Sequence, residues 1–93
     1  MTGTIKNIII LKTGSRPSEE MWYIQQVIES IGLSLTTLSG AHIDNIRCVT
    51  ADKLNQQYVM GFVMASGHDV SKCTLTPFND RDGGSGMVVK VFA

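Results

Sequence analysis

The sequence predicts an α+β fold in which one amphipathic helix packs on a mainly antiparallel sheet of about four to six strands. Three observations predict it. An apolar segment without a polar face comes first, a segment with helical periodicity follows, and shorter apolar or alternating segments separated by turn residues make up the rest. A length of 93 residues allows one compact domain over residues 1–93.

The first predicted element is a strand over Ile5–Leu11. Its second half, Ile8–Leu11, is apolar at every position. A strand with one face in water would alternate, so this pattern favours a central strand that is covered on both faces.

The second predicted element is a helix over about residues 16–31. Ser15 or Ser18 is expected to cap it, Pro17 suits its first turn, and Gly32 is expected to end it. Apolar residues recur at helical spacing at Met21, Ile24, Val27, Ile28 and Ile31. This face is expected to pack on the sheet.

Four later segments are predicted to be strands: Leu33–Leu38, Ile43–Thr50, Val70–Thr76 and Met87–Phe92. Pro77 is expected to end the third of them, and Asn79–Gly86 is a polar, glycine-rich loop before the last. The last strand is expected to pair within the sheet, as terminal strands of this kind usually do.

Residues 51–66 allow two interpretations. Tyr58–Ala65 is apolar on every side, whereas a helix on a thin core should carry a polar stripe. Ser39–Cys48 and Ser66–Cys73 both contain Ser-Gly, then His, then Asp-x-x-(Arg/Lys)-Cys, which suggests two similar hairpins. The preferred interpretation therefore makes Tyr58–Ala65 a strand that pairs with the segment after it. The alternative is a second helix over 51–66, which gives a ferredoxin-like arrangement.

The charge balance excludes two classes of partner. Eight basic and eight acidic residues give a formal net charge of zero, and no two basic residues are adjacent. Nucleic-acid binding and binding to anionic membranes both need a local excess of Lys and Arg, so neither is expected. No apolar run approaches the roughly 20 residues of a membrane span, and no secretory signal is recognisable. The two cysteines then indicate free thiols in the cytoplasm.

Trp22 is the most informative single residue for an interaction. At about 100° per residue it lies opposite the apolar face of its helix, on the side of Gln25, Gln26 and Glu29. Tryptophan is strongly enriched in interface hot spots, so these four residues are the predicted partner-binding surface. In the alternative, Trp22 folds over a strand edge or a loop and is half-buried.

The loop between the first strand and the helix is a second candidate site. Residues 12–18 offer free backbone N–H groups at a helix start, together with hydroxyls and one guanidinium. The candidate ligand-binding residues are Thr13, Gly14, Ser15, Arg16 and Ser18. Their ligand would be a nucleotide or another phosphorylated compound. Neither the Walker pattern nor G-x-G-x-x-G is present, and an ordinary capped helix start explains the same residues.

Two turns carry the candidate acid–base groups, which are His42, Asp44, His68 and Asp69. Paired imidazole and carboxylate groups can transfer protons, but both residue types are also common in turns, and no nucleophile motif accompanies them. A zinc site built from His42, Cys48, His68 and Cys73 has the right ligand types but the wrong spacing. The cysteines are expected to pack as small apolar residues instead, and no metal or cofactor is expected.

The sequence favours a small non-catalytic protein-interaction module, such as an inhibitor, an adaptor or an assembly subunit. No catalytic pattern is specific, and Trp22 lies on the wrong side of its helix for the core. A neutral chain with a pI of about 6.7 should also associate readily, which favours a homo-oligomer. The alternative is a small-ligand binding protein or minor enzyme that uses the 12–18 loop and the His/Asp turns.

Overall fold

Two helices pack on a mixed four-stranded sheet in the computed structural model, which describes residues 5–14, 20–33, 45–79 and 84–93. The elements in chain order are β1 (Ile5–Lys12), α1 (Met21–Ser30), β2 (Asn45–Thr50), α2 (Gln56–Ala65), β3 (Cys73–Asn79) and β4 (Ser85–Phe92). The protein is a small single-domain α+β structure, as the sequence predicts.

The strand order is β2-β1-β4-β3. β1 and β2 are parallel, whereas β4 runs antiparallel to both β1 and β3, so the sheet is mainly antiparallel. The ends of the strands form two opposite sides of the sheet, which we name the carboxyl edge and the amino edge after the ends of β1 and β2. The carboxyl edge carries the ends of β1, β2 and β3 and the start of β4, at Lys12, Thr50, Asn79 and Ser85. The amino edge carries Asn7, Asn45, Cys73 and Val91.

β1 is the central strand that its apolar sequence predicts. Successive side chains of a strand point to opposite faces, and those of β1 enter two separate cores. Ile8 and Ile10 pack with α1, whereas Ile9 and Leu11 pack with α2. The two helices therefore cover opposite faces of the sheet. β4 lies beside β1 and contributes Val88 to the first core and Val89 to the second, so the predicted pairing of the last strand is confirmed.

α1 begins later than the predicted residue 16 within the described chain, because Glu20 is still extended and stands as the N-cap residue. Gly32 ends the helix as predicted. It has a φ of +84°, a conformation that favours glycine, and the next N–H then donates to the Ile28 carbonyl.

Met21 is not in the core, contrary to the expectation. The buried side chains of α1 are Tyr23, Ile24, Val27 and Ile28. Tyr23 shifts the centre of the buried face away from Met21, which is also the first helical residue and lies 59% exposed.

The preferred interpretation of Tyr58–Ala65 as a strand is wrong, since this segment belongs to α2. Asn55 caps the helix, and its side-chain oxygen accepts a hydrogen bond from the Tyr58 N–H at 2.8 Å. Only Val59 and Val63 are fully buried. Within Tyr58–Ala65 the exposed positions are small or apolar: Gly61, a 63% exposed Met64 and Ala65. The missing polar stripe therefore reflects an apolar exposed face and not a strand.

The ferredoxin-like alternative predicts this second helix correctly but arranges it wrongly. That fold has the order β-α-β-β-α-β. The described chain has the order β-α-β-α-β-β, with its helices on opposite faces. The proposed hairpin between 58–65 and the following segment is also absent from the described residues, because Val70–Lys72 is a short 3-10 helix and β3 pairs with β4.

Pro77 does not end its strand, because β3 continues to Asn79. β3 is the edge strand of the described sheet, and an edge strand tolerates the missing N–H of a proline. Residues 34–38 of one predicted strand and the Ser15 or Ser18 cap lie outside the described residues. Neither described helix is long and apolar enough to span a membrane.

Candidate functional site

Trp22 lies exposed at the start of α1, with 55% of its surface accessible. Its indole N–H donates a hydrogen bond to the Glu20 carboxylate. Its ring also meets the Tyr23 ring edge to face, with centroids 5.9 Å apart and an interplanar angle of 87°. Both contacts restrict the indole, so the exposed ring has a defined orientation.

The surroundings of Trp22 combine apolar and polar side chains. We name Met21, Trp22, Gln25, Gln26 and Glu29 the Trp22 surface; all five are exposed. The Gln25 amide donates to the Glu29 carboxylate at 3.0 Å. Met21 and Trp22 thus form an apolar centre with polar residues beside it, an arrangement typical of protein interfaces.

A groove adjoins the Trp22 surface between α1 and β3. It has a volume of about 300 Å³, and its lining residues are Tyr23, Gln26, Val27, Glu29, Ser30, Phe78 and Asn79. Gln26 and Glu29 belong to both the groove and the Trp22 surface. The two features are therefore continuous and can be covered by one partner.

The predicted phosphate loop leaves the carboxyl edge of the sheet at Lys12. This lysine is 2% exposed and has an interaction partner within the structure. Thr13 is fixed to the start of β4, since its N–H and its hydroxyl both donate to the Ser85 carbonyl, at 3.1 and 3.2 Å. Gly14 has a φ of +88°, which accounts for glycine at this position. The other candidates, Ser15, Arg16 and Ser18, lie outside the described residues.

The His/Asp turns are only partly described, because His42 and Asp44 lie outside the described residues. Asp69 has a structural role. Its carboxylate accepts hydrogen bonds from the Ser71 hydroxyl at 2.7 Å and from the Ser71 N–H at 3.0 Å, which starts the short 3-10 helix. These bonds stabilise the ionised form and lower the pKa of Asp69 below 3.8. A carboxylate with a lowered pKa is a weak base, so Asp69 is poorly suited to accept protons.

His68 belongs to a separate polar cavity at the amino edge of the sheet. The cavity measures about 250 Å³, and its lining residues are Asn7, Ile8, Ile9, Asn45, Arg47, Ser66 and His68. Parallel pairing aligns Asn7 with Asn45 and Ile9 with Arg47. The C-terminal turn of α2 brings Ser66 and His68 to the same place. We name this group the amino-edge cavity.

The two cysteines lie on opposite faces of the sheet. Cys48 is buried in the core with α1, and the partly buried Cys73 packs against the core with α2. Neither forms a disulfide bond within the described residues. Partial burial, together with the Asp69 charge, raises the pKa of Cys73 above 9.0, so its thiol stays protonated at neutral pH. The described residues contain no group of three or more metal-ligating side chains.

Sequence reasoning missed the polar lining of the amino-edge cavity. The signal was present as alternation, because Asn7 and Ile9, like Asn45 and Arg47, are two residues apart and share a strand face. The alternation does not reveal the register that places Asn7 beside Asn45, and this register brings the two strand faces together. The burial of Lys12 was missed for a similar reason, since the strand was expected to end at Leu11.

Comparisons of this chain with protein-family models, with curated proteins and with solved structures gave no match.

Proposed function

We propose that this protein is a small non-catalytic interaction module that self-associates through the Trp22 surface. The observation that carries the proposal is the exposure of Trp22 beside an equally exposed Met21. Tryptophan and methionine are both enriched at protein interfaces, and Trp22 is already oriented by Glu20 and Tyr23, so little side-chain entropy is lost on binding.

The neutral net charge supports a second copy as the partner. Two identical surfaces must meet in a symmetric dimer, and a strongly charged chain would repel itself. This chain carries no net charge, and the Trp22 surface contains one carboxylate beside the amides of Gln25 and Gln26. The adjoining groove between α1 and β3 adds concave surface to the contact.

The test uses the chain's single tryptophan as its own probe. We expect the fluorescence of Trp22 to shift to the blue as protein concentration rises, with a parallel increase in mass by light scattering. Trp22→Ala should weaken self-association by about thirtyfold or more, which corresponds to the 2 kcal/mol of an interface hot spot. Circular dichroism should show an unchanged fold.

Met64→Ala is the matched control, because Met64 is equally exposed but lies on α2, across the sheet from α1. It should leave the mass unchanged, whereas Met21→Ala should lower it. A wild-type chain that stays monomeric up to millimolar concentration would contradict self-association. Loss of association in Met64→Ala but not in Trp22→Ala would contradict this surface.

A small phosphorylated ligand at the carboxyl edge is the second candidate function. The observation that favours it is the buried Lys12 at the base of the 12–18 loop. Ligands of sheets with parallel strands commonly bind beyond the carboxyl ends of those strands. Thr13 and Gly14 lie at this edge, and the positive φ of Gly14 lets the backbone turn there.

A nucleotide panel tests this second candidate. Binding should raise the melting temperature by mass action, and Arg16→Ala should reduce the rise. Lys90→Ala removes the same charge from β4 and should leave the rise intact. No rise at millimolar ligand, or a rise that Arg16→Ala does not change, would count against it.

The proposed location is the cytoplasm. Cys48 and Cys73 support it, because neither forms a disulfide bond within the described residues and thiols stay reduced in the cytoplasm. Recovery of both thiols in the free state from cells, measured by alkylation before lysis, is the expected result.

A further inference from the structure

We propose that the amino-edge cavity binds a small oxyanion, a carboxylate or phosphate group, through Arg47. The site is separate from the Trp22 surface and from the 12–18 loop, and it involves neither of the proposed functions. Its residues come from three elements that meet only in the folded chain: β1, β2 and the C-terminal turn of α2.

The lining of the cavity is rich in hydrogen-bond donors. Asn7 and Asn45 present amides, Arg47 a guanidinium and His68 an imidazole. Within the described chain, none of these four side chains has a hydrogen bond or an ion pair with another residue. Ser66 differs, because its hydroxyl already donates to the Phe62 carbonyl at 2.9 Å. All four of these residues line the same cavity.

The charge of the lining selects an anion. The two ionisable residues that line the cavity, Arg47 and His68, are both of the basic type, and no acidic residue of the described chain lines it. A guanidinium binds carboxylate and phosphate with two parallel hydrogen bonds, which chloride cannot accept in the same geometry. A neutral ligand would not neutralise the positive charge of Arg47.

The nearby end of α2 does not cancel this preference. The carbonyl oxygens at a helix C-terminus repel anions when they are unpaired. Here the Phe62, Val63 and Met64 carbonyls accept hydrogen bonds from the N–H groups of Ser66, Gly67 and His68. The turn therefore pairs these carbonyls with its own N–H groups, and Ser66 and His68 line the cavity.

The volume limits the ligand to a small one. Pockets for drug-sized molecules measure roughly 300–1,000 Å³. The amino-edge cavity, at about 250 Å³, holds an oxyanion with at most a short carbon chain. Ile9, whose side chain lies on the α2 face of the sheet, forms its apolar part, where such a chain would lie.

The experiment is an NMR titration of the whole chain with inorganic phosphate and, separately, with acetate. Chloride at equal ionic strength is the reference. We expect saturable shifts of the Arg47 side-chain Nε–H and of the Asn7 and Asn45 amides with at least one oxyanion, and none with chloride. The oxyanion that saturates identifies the source, carboxylate or phosphate. Shifts at Thr13 and Gly14 instead would place binding at the carboxyl edge and overturn this proposal.

Variants then test the role of Arg47. Because Arg47 is exposed, Arg47→Gln should keep the fold while weakening binding by about tenfold or more, as expected for lost charge-assisted hydrogen bonds. Asn45→Asp places a carboxylate in the cavity and should abolish binding. Lys72→Gln removes one charge outside the cavity and should change the affinity less than about twofold. Equal affinity in wild type and Arg47→Gln, or shifts that chloride reproduces, would overturn the proposal.

Discussion

The Asp69 carboxylate shows how a local hydrogen-bond pattern sets an ionisation. The Ser71 hydroxyl contributes most to its lowered pKa, then the Ser71 N–H, while burial acts weakly in the opposite direction. A carboxyl whose pKa is lower in the folded state stabilises that state fully above its ordinary pKa of 3.8. This contribution is lost as the pH falls through the lower, folded-state pKa.

Ser71→Ala should therefore raise the pKa of Asp69 toward 3.8, because it removes the hydroxyl donor. The pKa is measured by NMR titration of the Asp69 carboxyl carbon. Lys72→Gln is the control and should move the pKa less, since Lys72 makes the smallest contribution. An unchanged pKa in Ser71→Ala would show that the hydroxyl does not interact with the carboxylate in solution.

Substitution by alanine is expected to have opposite effects on stability at Gly86 and at Gly61. A Cβ at Gly86 would overlap the Phe78 ring, whereas one at Gly61 meets nothing within 4 Å. Gly86→Ala should destabilise the fold by about 1–3 kcal/mol through overpacking. Gly61→Ala should stabilise it by about 0.5–1 kcal/mol through helix propensity. Urea denaturation measures both, and a destabilising Gly61→Ala would contradict the open space beside α2.

Among the elements, α2 depends most on its capping residue. Its fully buried side chains are Val59 and Val63, with Tyr58 and Phe62 partly buried against the same core, and Asn55 caps its first turn. Asn55→Ala should lower the free energy of unfolding by about 0.5–2 kcal/mol, because it leaves the Tyr58 N–H without its partner.

Asn55→Asp is the matched control for the cap, because a carboxylate oxygen accepts the same hydrogen bond. It should keep the stability near that of the wild type. Hydrogen exchange at the Tyr58 amide locates the effect, and it should accelerate in Asn55→Ala alone. Equal stability of the alanine and aspartate variants would contradict a capping role.

In the whole molecule, the order of the strands makes the last segment of the chain indispensable. β4 lies between β1 and β3 and supplies Val88 and Val89 to the two cores. Without it β3 has no partner in the described sheet, and β1 loses one of two neighbours. Formation of the sheet therefore requires contacts between segments that are distant in sequence, which slows folding.

Deletion of residues 85–93 should consequently abolish cooperative unfolding, whereas deletion of Ala93 alone should not, because the last strand ends at Phe92. Thermal denaturation followed by circular dichroism measures both. A cooperative transition in the longer deletion would show that β1, β2 and the helices form a stable unit without β4.

The elements with strong local signals were predictable from the sequence. The uniformly apolar Ile8–Leu11 predicts a buried central strand, and Gly32 predicts the end of α1. The exposure of Trp22 follows from its angular position in α1. In each case the pattern depends on residues that are close in sequence, whose geometry is set by the period of a helix or a strand.

Two other features, the conformation of Tyr58–Ala65 and the amino-edge cavity, were decided only by the tertiary structure. Whether Tyr58–Ala65 forms a helix or a strand depends on the sheet face available to bury Val59 and Val63, since its composition suits either. The amino-edge cavity depends on the register of Asn7 with Asn45 and on the turn that brings His68 to them. Pairing between distant segments is selected by the packing of the complete chain, and no local period encodes it.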